Sequence, residues 1–128
     1  MKKPAKCISV EEARKVQDEW IRTRGKEIRR GQGYDDTREF WYSLEELQEY
    51  LDYVKEKSKE QGVKKPGIRI YLGAYPKTNG KKSYSTLFLA PTKEAVKSTD
   101  DEDDESDANN YNIDPLNQNN GGQPPIDY

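Results

Sequence analysis

Hydrophobic residues recur at helical spacing in two stretches of the chain, and each stretch opens with a helix-capping pattern. Ser9 and Ser43 are each followed three residues later by a glutamate, which is the Ser-x-x-Glu capping box. Glycines after each periodic stretch, at positions 31, 33 and 62, are typical of helix ends. The pattern predicts one helix over residues 10–30 and another over residues 44–61.

Alternating side chains predict a β-hairpin after the second helix. The segment GIRIYLGAY, residues 67–75, alternates between aliphatic and other residues, and YSTLFLA, residues 84–90, reads as a second strand. Asn79-Gly80 favours a two-residue turn, which would place Tyr71 opposite Phe88. One face of the hairpin would then pack under the second helix through Ile70, Leu72, Leu87 and Leu89.

A third strand is predicted before the second helix, where residues 37–42 (TREFWY) are rich in aromatic side chains. The element order is then α-β-α-β-β, which is an α+β fold with two helices packed on a sheet. The last strand is apolar on both faces, as a central strand would be. We therefore expect a three-stranded mixed sheet with the strand order 1-3-2.

Charge divides the chain into a basic body and an acidic tail. All 22 lysines and arginines lie before residue 98, whereas nine of the 24 acidic residues follow it, so the two parts carry +7 and −9. The acidic run has too few apolar residues to repay ordering, and residues 98–110 are predicted to be a disordered linker. Residues 1–97 would form a single α+β domain, and residues 111–128 an extended docking segment.

The docking segment is distinguished by apolar residues spaced among Asn, Gly and Pro. Pro124-Pro125 favours an extended polyproline II conformation. A segment of this composition can dock on its own domain or on another chain, or it can simply keep the protein soluble. The candidate docking residues are Tyr111, Ile113, Leu116, Ile126 and Tyr128.

The second face of the hairpin is a candidate partner or ligand surface, formed by Arg69, Tyr71, Tyr75, Tyr84 and Phe88. Aromatic rings with a basic rim are typical of single-stranded nucleic-acid binding. A further basic surface is predicted near the end of the first helix, at Arg22, Lys26, Arg29 and Arg30. The alternative is that the first helix covers the aromatic face as part of the core.

The sequence offers little catalytic chemistry. It contains no histidine, which excludes Ser-His and Cys-His nucleophile systems, and Cys7 is its single cysteine. Asp35, Asp36 and Glu39 could hold Mg²⁺, although turn formation explains them more simply. No glycine-rich phosphate motif, signal peptide or apolar run of membrane length is present. We expect no catalytic residue, metal or cofactor, and a cytoplasmic protein that does not bind membranes.

Four segments of the chain resemble a family of small uncharacterised bacterial proteins, a domain of unknown function. These segments are DTREFWYSLEELQEYL, GIRIYLGAYP, TLFLAPT and the terminal GGQPP. The resemblance includes no catalytic motif. It implies a bacterial, cytoplasmic protein in which the extreme C-terminus is a recurring element.

Three functional hypotheses follow from these features. The first is a non-enzymatic protein-interaction module that contacts another protein, or a second copy of itself, through the aromatic face and the docking segment. The alternative is a single-stranded nucleic-acid binder whose acidic tail competes with phosphates for the basic surface. The third hypothesis is a small metal-dependent enzyme that uses the carboxylates at positions 35, 36 and 39.

Overall fold

The computed structural model describes residues 1–78, 80–95 and 107–128. Its helical elements are α1 (Val10–Trp20), a π-helical turn (Ile21–Gly25), α2 (Lys26–Gln32) and α3 (Leu44–Glu60). The strands are β1 (Phe40–Trp41), β2 (Gly67–Ala74), β3 (Ser85–Lys93), β4 (Ala108–Asn109) and β5 (Asn120–Gly121). The protein is therefore α+β, which confirms the predicted fold class.

The chain divides into two compact units, one of Met1–Glu39 with Gly122–Tyr128 and the other of Phe40–Gly121. The predicted domain boundary at residue 97 lies outside the described residues, as does most of the predicted acidic linker, residues 98–106. The remaining linker residues include β4.

The first unit is built on the predicted first helix, in which α1, the π-helical turn and α2 follow one another without a break. The Ser9 hydroxyl accepts a hydrogen bond from the Glu12 amide at 3.0 Å, as its capping pattern predicts. Gly25 lies in the π-helical turn, where an added Cβ would be 3.2 Å from a ring carbon of Trp20. Gly33 ends the helix at φ 82°, a left-handed conformation that glycine adopts without strain.

Polar contacts hold the last residues of the chain in this first unit. The Arg38 guanidinium donates to Gln17 Oε1 at 3.1 Å and forms an ion pair with Asp127. The same Gln17 oxygen accepts from the Tyr128 amide at 2.8 Å. Arg38 contacts both Gln17 and Asp127, and its side chain is only 15% exposed.

The second unit contains the second predicted helix, which is confirmed as α3. The Ser43 hydroxyl accepts from the Glu46 amide at 3.0 Å and caps the helix. Tyr50, Val54 and Ser58 follow at intervals of four residues and are buried. This spacing places all three on one face of α3, which packs on the sheet.

The predicted hairpin and its register are confirmed. β2 and β3 pair antiparallel, with Tyr71 opposite Phe88 and Leu72 opposite Leu87. A hydrogen bond of 2.8 Å from the Lys81 amide to the Thr78 carbonyl closes the turn, as a two-residue loop requires.

The third strand of the sheet is not the predicted one. The order is β2-β3-β4 with antiparallel pairing throughout, so the neighbour of β3 comes from beyond the acidic run. β1 instead pairs antiparallel with β5. The predicted mixed sheet with order 1-3-2 is wrong because two residues, Phe40 and Trp41, carry too short a pattern to specify a partner strand.

After β4 the chain leaves the sheet over residues 110–115 and returns to β3 at Leu116. The Leu116 amide and carbonyl both bond to Leu89, at 2.9 and 2.8 Å. Pro91 lies opposite the gap, where its carbonyl accepts from the Asn110 amide at 2.9 Å. The nitrogen of Pro91, which has no hydrogen to donate, faces the same side of β3, where the chain has left the sheet. A proline is therefore tolerated in this central strand without the loss of a hydrogen bond between strands.

The core of the second unit includes a residue from beyond the acidic run. Ile113 is 2% exposed and clusters with Tyr50, Val54 and Leu89. The Tyr50 hydroxyl donates to the Asp114 carbonyl at 2.8 Å, and burial raises the pKa of Tyr50 to about 12. The loop of residues 110–115 is therefore an integral part of the fold and links α3 to β3.

Candidate functional site

The predicted aromatic surface lies on one face of the hairpin, where the chain's own later residues contact it. Tyr71 and Phe88 stack with ring centroids 5.2 Å apart and an angle of 19° between the rings. The Asn109 amide donates to the Tyr71 hydroxyl at 2.8 Å and accepts from Arg69 at 2.6 Å. The hydrogen bond from Asn109, with a smaller effect from Arg69, lowers the pKa of Tyr71.

A second asparagine bonds to the other end of this surface. The Tyr75 hydroxyl and the Asn117 side-chain oxygen are 3.0 Å apart, and the Asn117 nitrogen donates to the Leu87 carbonyl at 2.8 Å. Tyr84 accepts from the Tyr75 amide through its backbone carbonyl at 3.0 Å. Two asparagines that follow the acidic run, Asn109 and Asn117, thus form hydrogen bonds with the polar groups at the two ends of this surface.

An apolar cleft of about 330 Å³ remains beside the stacked Tyr71 and Phe88 rings. Pro91, Tyr111 and Pro115 also line it. Tyr111 is 88% exposed and stands at this cleft. The volume is at the lower end of the range for ligand pockets, so the cleft has room for a single bulky side chain rather than for an extended peptide.

The outer edge of β2 has no strand partner among the described residues. The hydrogen bond between Tyr75 and Tyr84 shows that the odd-numbered residues of the strand face β3. Ile68, Ile70, Leu72 and Ala74 therefore direct their amide and carbonyl groups outward. The eight residues of Gly67–Ala74 include no lysine or proline, which commonly protect such edges. An edge of this kind is a template for another strand.

The side chains of this edge are also exposed, although we predicted that they pack under the second helix. Ile70 is 64% and Leu72 80% exposed, whereas Leu89 is buried and Ile68 and Leu87 are partly buried. The predicted packing under the second helix is thus correct for β3 and wrong for the outer part of β2. The physical reason is that α3 packs mainly against the central strand and leaves Ile70 and Leu72 of the edge strand uncovered.

The surface beside this edge carries charges of both signs. An open groove of about 710 Å³ lies between α3 and the loop that leads into β2. Hydrogen bonds from the Lys64 and Lys65 amides, at 3.0 and 3.1 Å, connect this loop to the Glu94 carboxylate and lower the pKa of Glu94. The groove is lined by Asp52, Lys55, Glu56, Lys59, Gly62, Val63, Lys64 and Pro66.

Three of the four residues of the predicted basic surface form ion pairs within the first unit. Arg22 lies 2.6 Å from Glu19, Arg30 lies 3.4 Å from Glu27, and Arg29 lies 3.6 Å from Asp35. The hydrogen bond between Arg22 and Glu19 raises the pKa of Arg22 and lowers that of Glu19. The fourth residue, Lys26, is exposed.

The candidate docking residues occupy different environments. Ile113 is in the core of the second unit and Leu116 is partly buried against it, while Tyr111 is exposed. Ile126 and Tyr128 belong to the first unit and are 70% and 61% exposed. The segment is therefore not uniform, since its first part supplies core and strand contacts.

The three candidate carboxylates have other contacts. Asp35 pairs with Arg29, and the Asp36 carboxylate accepts from the Thr37 amide at 2.8 Å. Glu39 lies against Gly122, since a Cβ added to Gly122 would be 1.8 Å from the Glu39 carboxylate. Within residues 1–78, 80–95 and 107–128, no group of three acidic or cysteine side chains is placed to hold a metal ion.

No family model, curated protein or solved structure matches this chain. In the part of the chain that the structure describes, no helix combines the length and apolar character needed to cross a membrane.

Proposed function

We propose that the protein is an interaction module that binds an extended segment of another polypeptide by strand addition at the outer edge of β2. The observation that carries this proposal is the coincidence of two features on the same residues. Ile70 and Leu72 direct unpaired backbone groups outward, and their side chains are 64% and 80% exposed. An added strand would satisfy the first feature and bury the second.

The expected energy gains come from two exposed side chains and from new backbone hydrogen bonds. Full burial of an Ile or Leu side chain contributes about 1.5–3 kcal/mol, so covering the exposed parts of these two would contribute about 2–4 kcal/mol. Each new backbone hydrogen bond adds about 0.5–1.5 kcal/mol. Association costs about 4–15 kcal/mol, so the complex requires most of the backbone hydrogen bonds along the edge as well as the two side chains.

The nucleic-acid hypothesis has less support in the contacts of the hairpin. The Arg69 guanidinium donates to Asn109 and to the Asp107 carbonyl, at 2.6 and 2.8 Å. A phosphate would have to displace these bonds. The interaction role is thus assigned to the edge of the hairpin rather than to its aromatic face.

Peptide display tests the proposal directly. Random peptides would be selected on the full chain and counter-selected on the Leu72→Lys variant, which places a charge on the exposed edge without removing a core residue. The recovered peptides should alternate apolar and polar residues and lack proline at their centre. A synthetic peptide of this kind should slow amide hydrogen exchange at Ile70 and Leu72.

Tyr111→Ala is the matched control because it alters the cleft of the aromatic face and leaves the β2 edge intact. Peptide affinity should be unchanged in this variant. Peptides that bind Leu72→Lys as well as the wild type, or that lose binding in Tyr111→Ala, would contradict strand addition at β2.

A further inference from the structure

We infer that the strand bound at the β2 edge is β2 of a second copy of this chain, in a two-fold symmetric antiparallel dimer. This inference rests on the proposed function, because it names the partner for the same edge. It is carried by the register of the strand, by the residues on each of its faces and by the charges of α3.

The outward-facing residues of β2 are self-complementary in one register. Centring the two-fold axis at Tyr71 places Ile70 opposite Leu72 of the second copy and Ile68 opposite Ala74. All four are residues whose backbone groups point outward, so each pair can form both hydrogen bonds of an antiparallel ladder, about eight bonds in total. No outward amide or carbonyl between residues 68 and 74 would remain unpaired.

The side chains are compatible with this register on both faces of the sheet. On the α3 face, the exposed Ile70 and Leu72 of each copy would form one continuous aliphatic cluster. On the other face, Arg69 would lie opposite Gly73, which avoids two like charges facing each other. Tyr71 would lie next to Tyr71 of the second copy, and aromatic pairs of this kind stabilise neighbouring strands.

The two copies of α3 would also have complementary ends. α3 runs antiparallel to β2, because Tyr42 before the helix bonds to Asn117 and Gln61 after it bonds to Asn110, near opposite ends of the β2–β3 pair. The two-fold axis would therefore make the two helices antiparallel. Its first half, Leu44 to Asp52, carries four acidic residues and no basic one, whereas all three of its lysines follow Val54. Antiparallel helices would thus bring the acidic half of one copy towards the lysines of the other.

The spacing leaves room for the exposed apolar residues of α3. With two β2 strands between them, the two β3 strands would be three strand spacings apart, about 14 Å. Tyr53 of α3 lies beside Leu116 on the β4 side, and helical spacing places Leu44 and Leu51 on the opposite flank, towards β2. These two leucines, which are 87% and 37% exposed, would fill the gap between the helices. The dimer would therefore cover the exposed aliphatic residues of both β2 and α3.

Sedimentation equilibrium of the full chain tests the inference. The mass should rise with concentration from 14.8 kDa towards twice that value. Leu72→Lys should weaken the dimer by about tenfold or more, since it introduces charge at the centre of the interface. Val16→Lys is the matched control, because Val16 is a similarly exposed aliphatic residue of the first unit, and it should leave the dimer unchanged.

Disulfide trapping tests the register independently of whether Leu72→Lys folds. In a Cys7→Ser background, a mixture of Ile70→Cys and Leu72→Cys chains should cross-link on oxidation, because directly opposite residues have Cα atoms about 5.5 Å apart. Either variant alone should cross-link poorly, since its cysteines would be diagonal to each other.

The outcomes separate the dimer from the proposed function. A monomer that binds the selected peptides at β2 would overturn the dimer only. A dimer that is insensitive to Leu72→Lys, or that fails to cross-link in the mixture, would also overturn this inference. A monomer with amides at Ile70 and Leu72 already protected would mean that the chain covers its own edge, and it would overturn both.

Discussion

Replacing Ile113 with alanine should strongly destabilise the second unit, even though this residue follows the acidic run. Ile113 is 2% exposed and packs with Tyr50, Val54 and Leu89. The substitution removes three buried carbon groups at about 0.8 kcal/mol each, or about 2.4 kcal/mol. The cavity left behind brings the expected loss to about 3–4 kcal/mol of unfolding free energy. This is a large part of the 5–15 kcal/mol typical of a whole domain.

Urea unfolding followed by tyrosine and tryptophan fluorescence measures this loss. Ile126→Ala is the matched control, because it makes the same change in the same predicted docking segment at a residue that is 70% exposed. The control should change stability by less than about 0.5 kcal/mol. If the two variants unfold at the same urea concentration, residues 110–115 are not part of the core and the reasoning is refuted.

Three further predictions concern α3 and the loop before β2. Tyr50→Phe should cost about 1 kcal/mol at neutral pH by removing the hydroxyl that bonds to the Asp114 carbonyl. Because burial raises the pKa of Tyr50 from 10.0 to about 12, the wild type should lose up to roughly 3 kcal/mol relative to this variant as the pH rises through that window. Urea unfolding at a series of alkaline pH values checks this, and a constant difference between the two proteins would contradict it. Ser58→Ala should be neutral or should raise the stability by up to about 1 kcal/mol. The buried hydroxyl has no hydrogen-bond partner among the described atoms, and alanine favours helices. Thermal unfolding measures this, and a clear loss of stability would show that the hydroxyl has a partner. Glu94→Gln should destabilise the loop before β2, and hydrogen exchange at Lys64 and Lys65 should report it. Since the folded pKa of Glu94 lies below 4.5, the wild-type advantage should be present above pH 4.5 and disappear as the pH falls through that folded pKa, and an advantage that persists at still lower pH would refute this account.

The helices and the hairpin could be predicted because their signals are local. The two serine caps and the periodic apolar residues after them specify where α1 and α3 begin. The turn at residue 80 and the alternation of residues 67–75 specify the pairing of β2 with β3. Each of these elements can be recognised from residues that are neighbours in the sequence.

The candidate site was only partly predictable. The sequence correctly groups Tyr71 with Phe88 on one face of the hairpin, and it correctly indicates that β3 is central. It does not show that Asn109 and Asn117 bond to the tyrosines of that face, because an isolated asparagine gives no sign of its partner. The position of β2 at the edge was implied by the central place of β3, but the exposure of Ile70 depends on where α3 packs.

The sequence by itself determined the α+β class, the residues at which α1 and α3 begin and the register of the hairpin, since each depends on short-range pattern and backbone preference. Only the tertiary structure decided which segment completes the sheet, which aliphatic residues are buried and which remain exposed. These properties depend on contacts between residues far apart in the chain, such as Leu89 with Leu116 and Tyr50 with Ile113. The sequence predicts Ile70 under the second helix and Ile113 in a docking segment, and packing alone makes Ile70 an exposed edge residue and Ile113 part of the core.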